Sequence, residues 1–511
     1  MPCKIYYFSL EDEQTKTEKL EWFKNTKLQD IDFQLIKPDK NANWINLADE
    51  NNGFDDLIPV CSKDAKLGKG GNAIFELYSL GVVTNRDEWV YDFDKENLKQ
   101  KVNFLIDKYN QEVERLKGIS KDDIRNEIEY SIKWTRAVKN DLSKGKKYIF
   151  DESRIITSLY RPFIKQYLYF SKNLNEMQYQ NPVIFGEFGN LQNICLCCNG
   201  SNNTTWNVIA TKTPIDLNAL YGGSQCLPLY RYSNGERLEN ITDWALALFR
   251  GHYENYPNVS PTQPSPQGGL KNSPPFGEGQ GVGLCKLDIF HYVYAVLHKP
   301  EYRTTYEQNL KREFPRIPLY ADFWKYAAAG KKLMELHLNY ENSPTQPSPQ
   351  GGLQNSPPFG EGQGVGLLVR KDIDLEVFKA GKAGKKKNSP LSEMSHHPEG
   401  GTMHVGTDVN TPPSGGGGLI YPILKIRDGN IEIDELTMLC GVPAQALAYK
   451  LGNRSAIEWI LDQYKPYKSD DKTIQEQFNN YNFADYKEQV IELLQKVCWL
   501  SVETMKIVGE L

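Results

Sequence analysis

The chain has 511 residues, 40% of them hydrophobic, with 29 Tyr, 21 Phe and 9 Trp, which is length for two or three domains and ample apolar surface for a large core. Its net charge of −5 excludes a sequence-blind nucleic-acid coat and confines any nucleic-acid contact to a local basic patch. No run approaches the ~18 apolar residues of a membrane span, the opening MPCKIYYFSL lacks a signal-peptide pattern, and nine irregularly spaced Cys argue against a disulfide framework, so a cytoplasmic protein without a membrane partner is expected.

Residues 5–8 (IYYF) form a short β-prone run that must pair with a sheet from later residues or from another chain, because a lone strand does not stand by itself. Residues 15–24 read as a helix. Over 95–117, Leu98, Val102, Leu105, Tyr109, Val113 and Leu116 recur at spacings of four and three, the stripe of an amphipathic helix. Ile124, Ile128 and Ile132 predict a second helix ending near Asn140. From 148 to 250, aromatic and β-branched runs (YLYF, PVIF, WNVIA, CLPLYRY) broken by Gly, Asn and Pro signal strands and loops. Asp288 then caps a helix bearing Ile289, Val293, Val296 and Leu297; Pro300 stops it, and Tyr302, Tyr306 and Leu310 form the next helical face. Asp428-Gly429 within LKIRDGNIEI marks a hairpin turn, and Tyr486, Val490, Leu493 and Val497 share one face of a final helix. The fold class expected is mixed α/β, of the α+β kind.

Three segments interrupt this plan. Residues 260–284 and 343–367 are the same 25-residue Pro/Gly/Ser segment, differing only at Lys271 against Gln354, and residues 381–418 share its character. With almost nothing to bury, none of them repays the entropy of ordering, so 260–283, 343–366 and 381–418 are expected to be disordered insertions. Ser273-Pro274-Pro275-Phe276 (again Ser356 to Phe359) mimics an amino-group methyltransferase loop, and Gly277, Gly279, Gly281 and Gly283 mimic a nucleotide-binding glycine loop. A working glycine loop follows a buried strand and opens a helix, and neither flank offers one.

The remaining chemistry is sparse. Cys195, Cys197 and Cys198 lack further ligands at zinc spacing and read as buried thiols of a strand. His396, His397 and His404 sit in the third insertion; His291, His298 and His337 lie on helical segments without an acid or nucleophile partner and read as core or surface histidines. No metal site is expected. The positive signals are basic and aromatic. Tyr160-Arg161-Pro162-Phe163 is followed by Lys165, Gln166, Tyr167 and Lys172; Lys311, Arg312 and Arg316 bracket REFPRIP; Lys450, Asn453, Arg454 and Ser455 belong to the glycine turn YKLGNRS. Cations position a protein on phosphates, and planar amide and guanidinium groups read base edges, so Arg161, Lys165, Gln166, Arg316, Lys450, Asn453 and Arg454 are the candidate DNA-binding residues. The competing reading makes Arg161, Arg316 and Arg454 structural ion pairs or loop clamps.

GVVTNRDEWVYDF (81–93), SLYRPFIKQYLYFSK (158–172), residues 286–320 and YKLGNRSAIEWILDQY (449–464) together resemble the C-terminal part of the Type ISP restriction–modification enzymes. These are single chains that join nuclease, translocase, adenine N6-methyltransferase and target-recognition domains. The resemblance implies that 1–147 is the end of a methyltransferase core with a helical connector, KIYYFSL being its last strand, and that 148–511 is a target-recognition domain. It implies double-stranded DNA as partner, with catalysis in an upstream methyltransferase/translocase chain or domain. The family's Asn-Pro-Pro-Tyr loop and S-adenosylmethionine motif are missing here, and Asn181-Pro182-Val183-Ile184 lacks the second Pro and the ring. No catalytic residue and no cofactor are therefore assigned to this chain; S-adenosylmethionine is expected in the complete enzyme. The rival readings are a complete but divergent site-specific DNA methyltransferase and a non-functional relic of one. Deleting 260–283, 343–366 and 388–417 together is expected to leave the melting temperature unchanged or higher, since long loops add only closure entropy; loss of cooperative melting on deletion would refute this.

Overall fold

In the computed structural model of the chain, residues 3–253, 283–343, 368–371 (backbone only) and 422–511 are described, apart from positions within 12–13, 39–51, 63–70, 121–122 and 201–204. The three insertions, save positions 283 and 343, and His396, His397 and His404 lie outside the described residues. The architecture is α+β, with helices packed on small antiparallel sheets.

A four-stranded antiparallel sheet carries the rest, in the order Ser79–Leu80, Ser224–Pro228, Cys195–Asn199, Val208–Thr211. Side chains alternate across a strand, and here both faces are covered. Cys195, Cys197, Ile209 and Cys226 enter one core, while Leu196, Cys198, Val208, Ala210 and Leu227 enter another. This explains CLCC as a strand with no polar side. Cys197 stands opposite Cys226, burial pushes the Cys195, Cys197 and Cys198 thiols up, and they stay protonated as small apolar groups. Among the described residues no group of three or more His, Cys, Asp or Glu is placed to hold a metal.

The helices Lys286–His298 and Phe323–Leu338 cover one face of this sheet. Every residue from 289 to 298 is buried, so the first helix is enclosed all round over this stretch. Its N-cap is Cys285; Asp288 sits at N3 and accepts from the Cys285 amide at 2.9 Å, the reciprocal half of a capping box. Gly330 is the point of closest approach: a Cβ there would lie 1.8 Å from the His291 carbonyl oxygen. The helices Ala456–Gln463 and Phe483–Gly509 fill the opposite core, with Val490 and Val497 buried and Tyr486 and Leu493 partly so. The hairpin of Pro422–Arg427 with Asn430–Asp434 turns at Asp428 and Gly429, whose φ values of 50° and 71° are those an Asp-Gly turn of this kind needs.

His337 stitches the two sides together. It shares hydrogen bonds with Tyr294 (Nδ1 to hydroxyl, 2.6 Å) and Thr504 (Nε2 to hydroxyl, 2.9 Å), so one imidazole joins the two covering helices to the last one.

A third core surrounds the helix Lys95–Arg115, whose Leu98, Val102, Leu105, Tyr109 and Val113 are buried. It takes in Trp89 on one side and Tyr148, Leu168 and Tyr169 on the other, so its contacts cross residue 147. The three-stranded sheet of Ile155–Arg161, Ile164–Tyr169 and Tyr91–Asp92 packs into it. The single helix expected to end near Asn140 is instead two short ones, Ile124–Glu127 and Arg136–Leu142. The break has a tertiary cause: the Glu129 amide donates to Glu112 and the Trp134 indole donates to the Glu129 carbonyl, drawing the backbone out of helical pairing. Ile124, Ile128 and Ile132 remain buried all the same. At the N-terminus, Ile5–Tyr7 pairs antiparallel with Gln34–Ile36, and Thr15 and Glu18 form a capping box on the helix Lys16–Asn25. None of the described residues from 3 to 47 is buried.

Two outcomes follow. Gly330→Ala should destabilise the chain by at least ~1–3 kcal/mol, the usual cost of overpacking, read by urea denaturation. Burial draws His337 down to about 3 and His291 to about 4, so between pH 6.5 and these values the unfolded chain binds protons that the native chain does not. Stability should therefore drop as the pH is lowered through that window, by up to about 1.4 kcal/mol per pH unit for each histidine, and His337→Gln should flatten the slope.

Candidate nucleic-acid interface

The structure gives most of the candidate cations internal partners. Arg161 donates from Nη1 to Asp216 at 2.8 Å and stacks its guanidinium 3.9 Å from the Tyr160 ring centroid. Lys165 pairs with Glu341 and lies over the Tyr340 ring. Arg316 donates to the Asp55 carbonyl at 2.9 Å and lies near Asp55 and Glu313 carboxylates. Arg454 pairs with Asp462 at 2.6 Å and covers Trp459. Each of these four clamps one segment of the fold to another. Gln166 is half-buried opposite Ser158 in its sheet, and its amide has no hydrogen-bond partner among the described residues. Lys450 is exposed. Asn453 is half-exposed at the tip of the two-residue turn between Lys450–Leu451 and Arg454–Ser455, its amide likewise without a partner among the described residues.

That turn belongs to a larger rim. Gly452 takes a φ of 73°, as the first position of such a turn requires, and a Cβ there would lie 3.6 Å from the Asn207 amide nitrogen and 3.8 Å from the Tyr221 Cβ. The Lys450–Asn453 turn therefore rests against the loops at one end of the central sheet. In those loops Gly222 and Gly223 run consecutively at φ 90° and 97°, and the Gly200 amide donates to the Gly223 carbonyl at 2.7 Å. The double glycine holds Tyr221 outward, 59% exposed. Tyr221 was not among the candidates from sequence. The legible signal was the tetrapeptide Tyr221-Gly222-Gly223-Ser224, in which a large ring precedes two residues that only a special backbone needs. The rim thus combines an aromatic face, an amide, a cation and bare glycine backbone, the groups that contact bases and phosphates at close range.

Residues 73–493 match the family model of the Type ISP C-terminal specificity domain. The chain belongs to this family. Among solved structures, the specificity-domain chain is similar to that in the cryo-EM structure of a DrdV–DNA complex, with 39% identity and a TM-score of 0.73 over 99% of this chain and 43% of that one. It is also similar to a nuclease-deletion mutant of the Type ISP enzyme LlaGI in complex with a DNA substrate mimic (26% identity, TM-score 0.65, 99% of this chain and 33% of that one). The ATP-dependent Type ISP enzyme LlaBIII bound to DNA shares the fold at 24% identity and a TM-score of 0.64, over 94% of this chain and 25% of that one. The chain thus spans less than half the length of each. No curated protein sequence matches it significantly.

Arg161 acts as a clamp, because its partner Asp216 is only 2% exposed and is held from a distant segment. Burial lifts Asp216 to about 7 against the pull of Arg161. Arg161→Ala should cost about 3–5 kcal/mol at pH 8, where a buried carboxylate loses its partner, and less at pH 5, where Asp216 takes up a proton instead. Asn453→Ala should leave the unfolding midpoint within about 0.5 kcal/mol of the parent at both values. Urea titrations at the two pH values check both.

Proposed function

We propose that the chain recognises the DNA target of a Type ISP restriction–modification enzyme. The observation that carries this reading is the family match over residues 73–493, supported by the DNA in the structures it resembles. The rim of Tyr221, Lys450 and Asn453 is assigned as the contact surface. It concentrates exposed polar and aromatic groups at one sheet end, while the overall charge stays negative.

Methyl transfer to adenine N6, with S-adenosylmethionine as methyl donor, is assigned to another part of the complete enzyme. The Asn-Pro of this chain does not fit the task. The Asn181 side-chain nitrogen donates to the Ser79 hydroxyl and the Leu80 and Gln178 carbonyls, and the residue is fully buried, so no flipped base reaches it. The N-terminal unit supports a larger assembly. Tyr6 and Leu35 stand directly opposite each other at 59% and 62% exposure, and Phe23 and Leu28 are more exposed still, an apolar surface suited to cover by the upstream methyltransferase part. Nine free cysteines suit a reducing, cytoplasmic compartment, and no helix among the described residues is long and apolar enough to cross a membrane.

Fluorescence anisotropy with duplex DNA tests the reading. Tyr221→Ala and Asn453→Ala should each weaken binding roughly tenfold, the loss of one stacking or base-edge contact, without lowering the thermal midpoint. Parental affinity in both variants would remove the rim from the interface. Failure of the parent chain to bind DNA at low salt, alone and joined to the upstream part, would overturn the function.

A further inference from the structure

Beside the rim, segments 82–89, 216–218, 130–133 and 470–473 enclose a cleft of about 690 Å3. Hydrogen bonds fix its walls. The Trp89 indole donates to Asp471 at 2.8 Å, the Thr473 hydroxyl to the Ser131 carbonyl at 2.8 Å, and the Leu217 amide to the Val82 carbonyl at 2.9 Å. The Ser224 amide donates to the Leu217 carbonyl at 2.6 Å, which joins the cleft to the Tyr221–Ser224 loop.

The charged groups of the cleft divide by whether the fold has used them. Asp87 accepts from the Thr84 and Tyr160 hydroxyls; Asp216 accepts from Arg161 and the Asn218 amide. Asp471 accepts from Trp89 and from the Thr473 and Ile474 amides, and Glu88 is hydrogen-bonded by Ser469. Asp470 is the one lining carboxylate without a partner among the described residues. Burial raises both carboxyls, Asp216 to about 7 and Glu88 above the usual carboxylate range.

Apart from Asp470, the unused groups are of another kind. Lys133 and Lys472 are exposed and form no ion pair among the described residues; Asn85 and Asn218 are exposed, with side-chain amides that have no hydrogen bond among them. Asn85 has a left-handed backbone (φ 54°), held by the Arg86 amide bonding back to the Thr84 hydroxyl at 3.2 Å. A side chain is thus presented from a fixed turn at a backbone angle that Asn tolerates and most residues resist. Behind it lies Arg86, 4% exposed, which donates Nη2 to Thr135 while Nε and Nη1 find no acceptor. Glu176, whose charge it feels, pairs with Arg136 at 3.9 Å and keeps one oxygen without a partner among the described residues, so among these Arg86 is a buried cation without an ion pair.

We propose that this cleft is a second DNA contact, gripping the sugar–phosphate backbone: Lys133 and Lys472 pair with phosphates and the Asn85 amide donates to a phosphate oxygen. The inference rests on the DNA-recognition reading above and extends the contact surface from the rim to groups that no other observation assigns. Phosphate contacts set register and carry no sequence information, so their signature is salt dependence.

The test uses the full chain and a mixed-sequence duplex of about 30 base pairs, with anisotropy measured between about 50 and 200 mM salt. Replacing both lysines (Lys133→Ala with Lys472→Ala) should lower the slope of log K against log salt by about two. Lys331→Ala with Lys332→Ala removes the same charge from the helix Phe323–Leu338, which does not line the cleft, and should change the slope by less than half as much. Asn85→Gly deletes the amide while suiting the positive φ, and should weaken binding roughly three- to tenfold at an unchanged thermal midpoint. If the parent binds and the cleft pair leaves the slope where the control pair does, this inference falls and the recognition reading stands. If the parent does not bind at any salt, the recognition reading falls and takes the inference with it.

Discussion

Burial of both faces of the strand Cys195–Asn199 is the constraint from which the rest of the molecule is built. A sheet covered on two sides cannot present a polar stripe, so successive residues must all be apolar or neutral, and cysteine serves as a small side chain on either side. The two covering layers come from distant parts of the chain: the 286–338 helices on one side, the 456–509 helices on the other. Each layer is anchored through close contacts that leave no slack, Gly330 against the His291 carbonyl and His337 between Tyr294 and Thr504. The long segments between 254 and 282, and between 344 and 421, join elements whose places these contacts already settle.

The same constraint locates the proposed interface. Strands buried on both faces offer the surroundings only their ends, and it is at one end of this sheet that Gly200, Gly222, Gly223 and Gly452 gather. Glycine is needed there for two reasons, positive φ and close approach of loop to loop. The result is a rim on which Tyr221 and Asn453 stand outward from backbone that cannot move far. The proposed recognition role would gain from such rigidity, because side chains held in place lose little entropy on binding.

Charge is sorted by the same economy of position. Arg161, Lys165, Arg316 and Arg454 stand near rings and in turns, as DNA contacts do, yet each meets a carboxylate of its own fold. Lys133 and Lys472, which no motif distinguishes, meet none among the described residues. An arginine beside a tyrosine serves equally well as a clamp between distant segments or as a phosphate ligand, and local sequence does not distinguish the two. What distinguishes them is whether an acid from a distant segment arrives, as Asp216 does for Arg161 across 55 positions.

The sequence by itself determined the local elements: the stripe of the Lys95–Arg115 helix, the Asp428-Gly429 hairpin, the apolar CLCC strand and the final helix are all there in period and turn chemistry, and the motifs 81–93, 158–172 and 449–464 point to the family. These features depend on neighbours a few residues apart, which a linear reading sees. Only the tertiary structure decided that Ile124 to Asn140 breaks into two helices, because the groups that draw its backbone away include Glu112 of another helix. Tertiary structure alone also decided which cations are spent and which remain, and brought Tyr221 beside Gly452 from 231 positions away. Pairing and proximity over such separations are set by packing of the whole chain, and no local pattern encodes them.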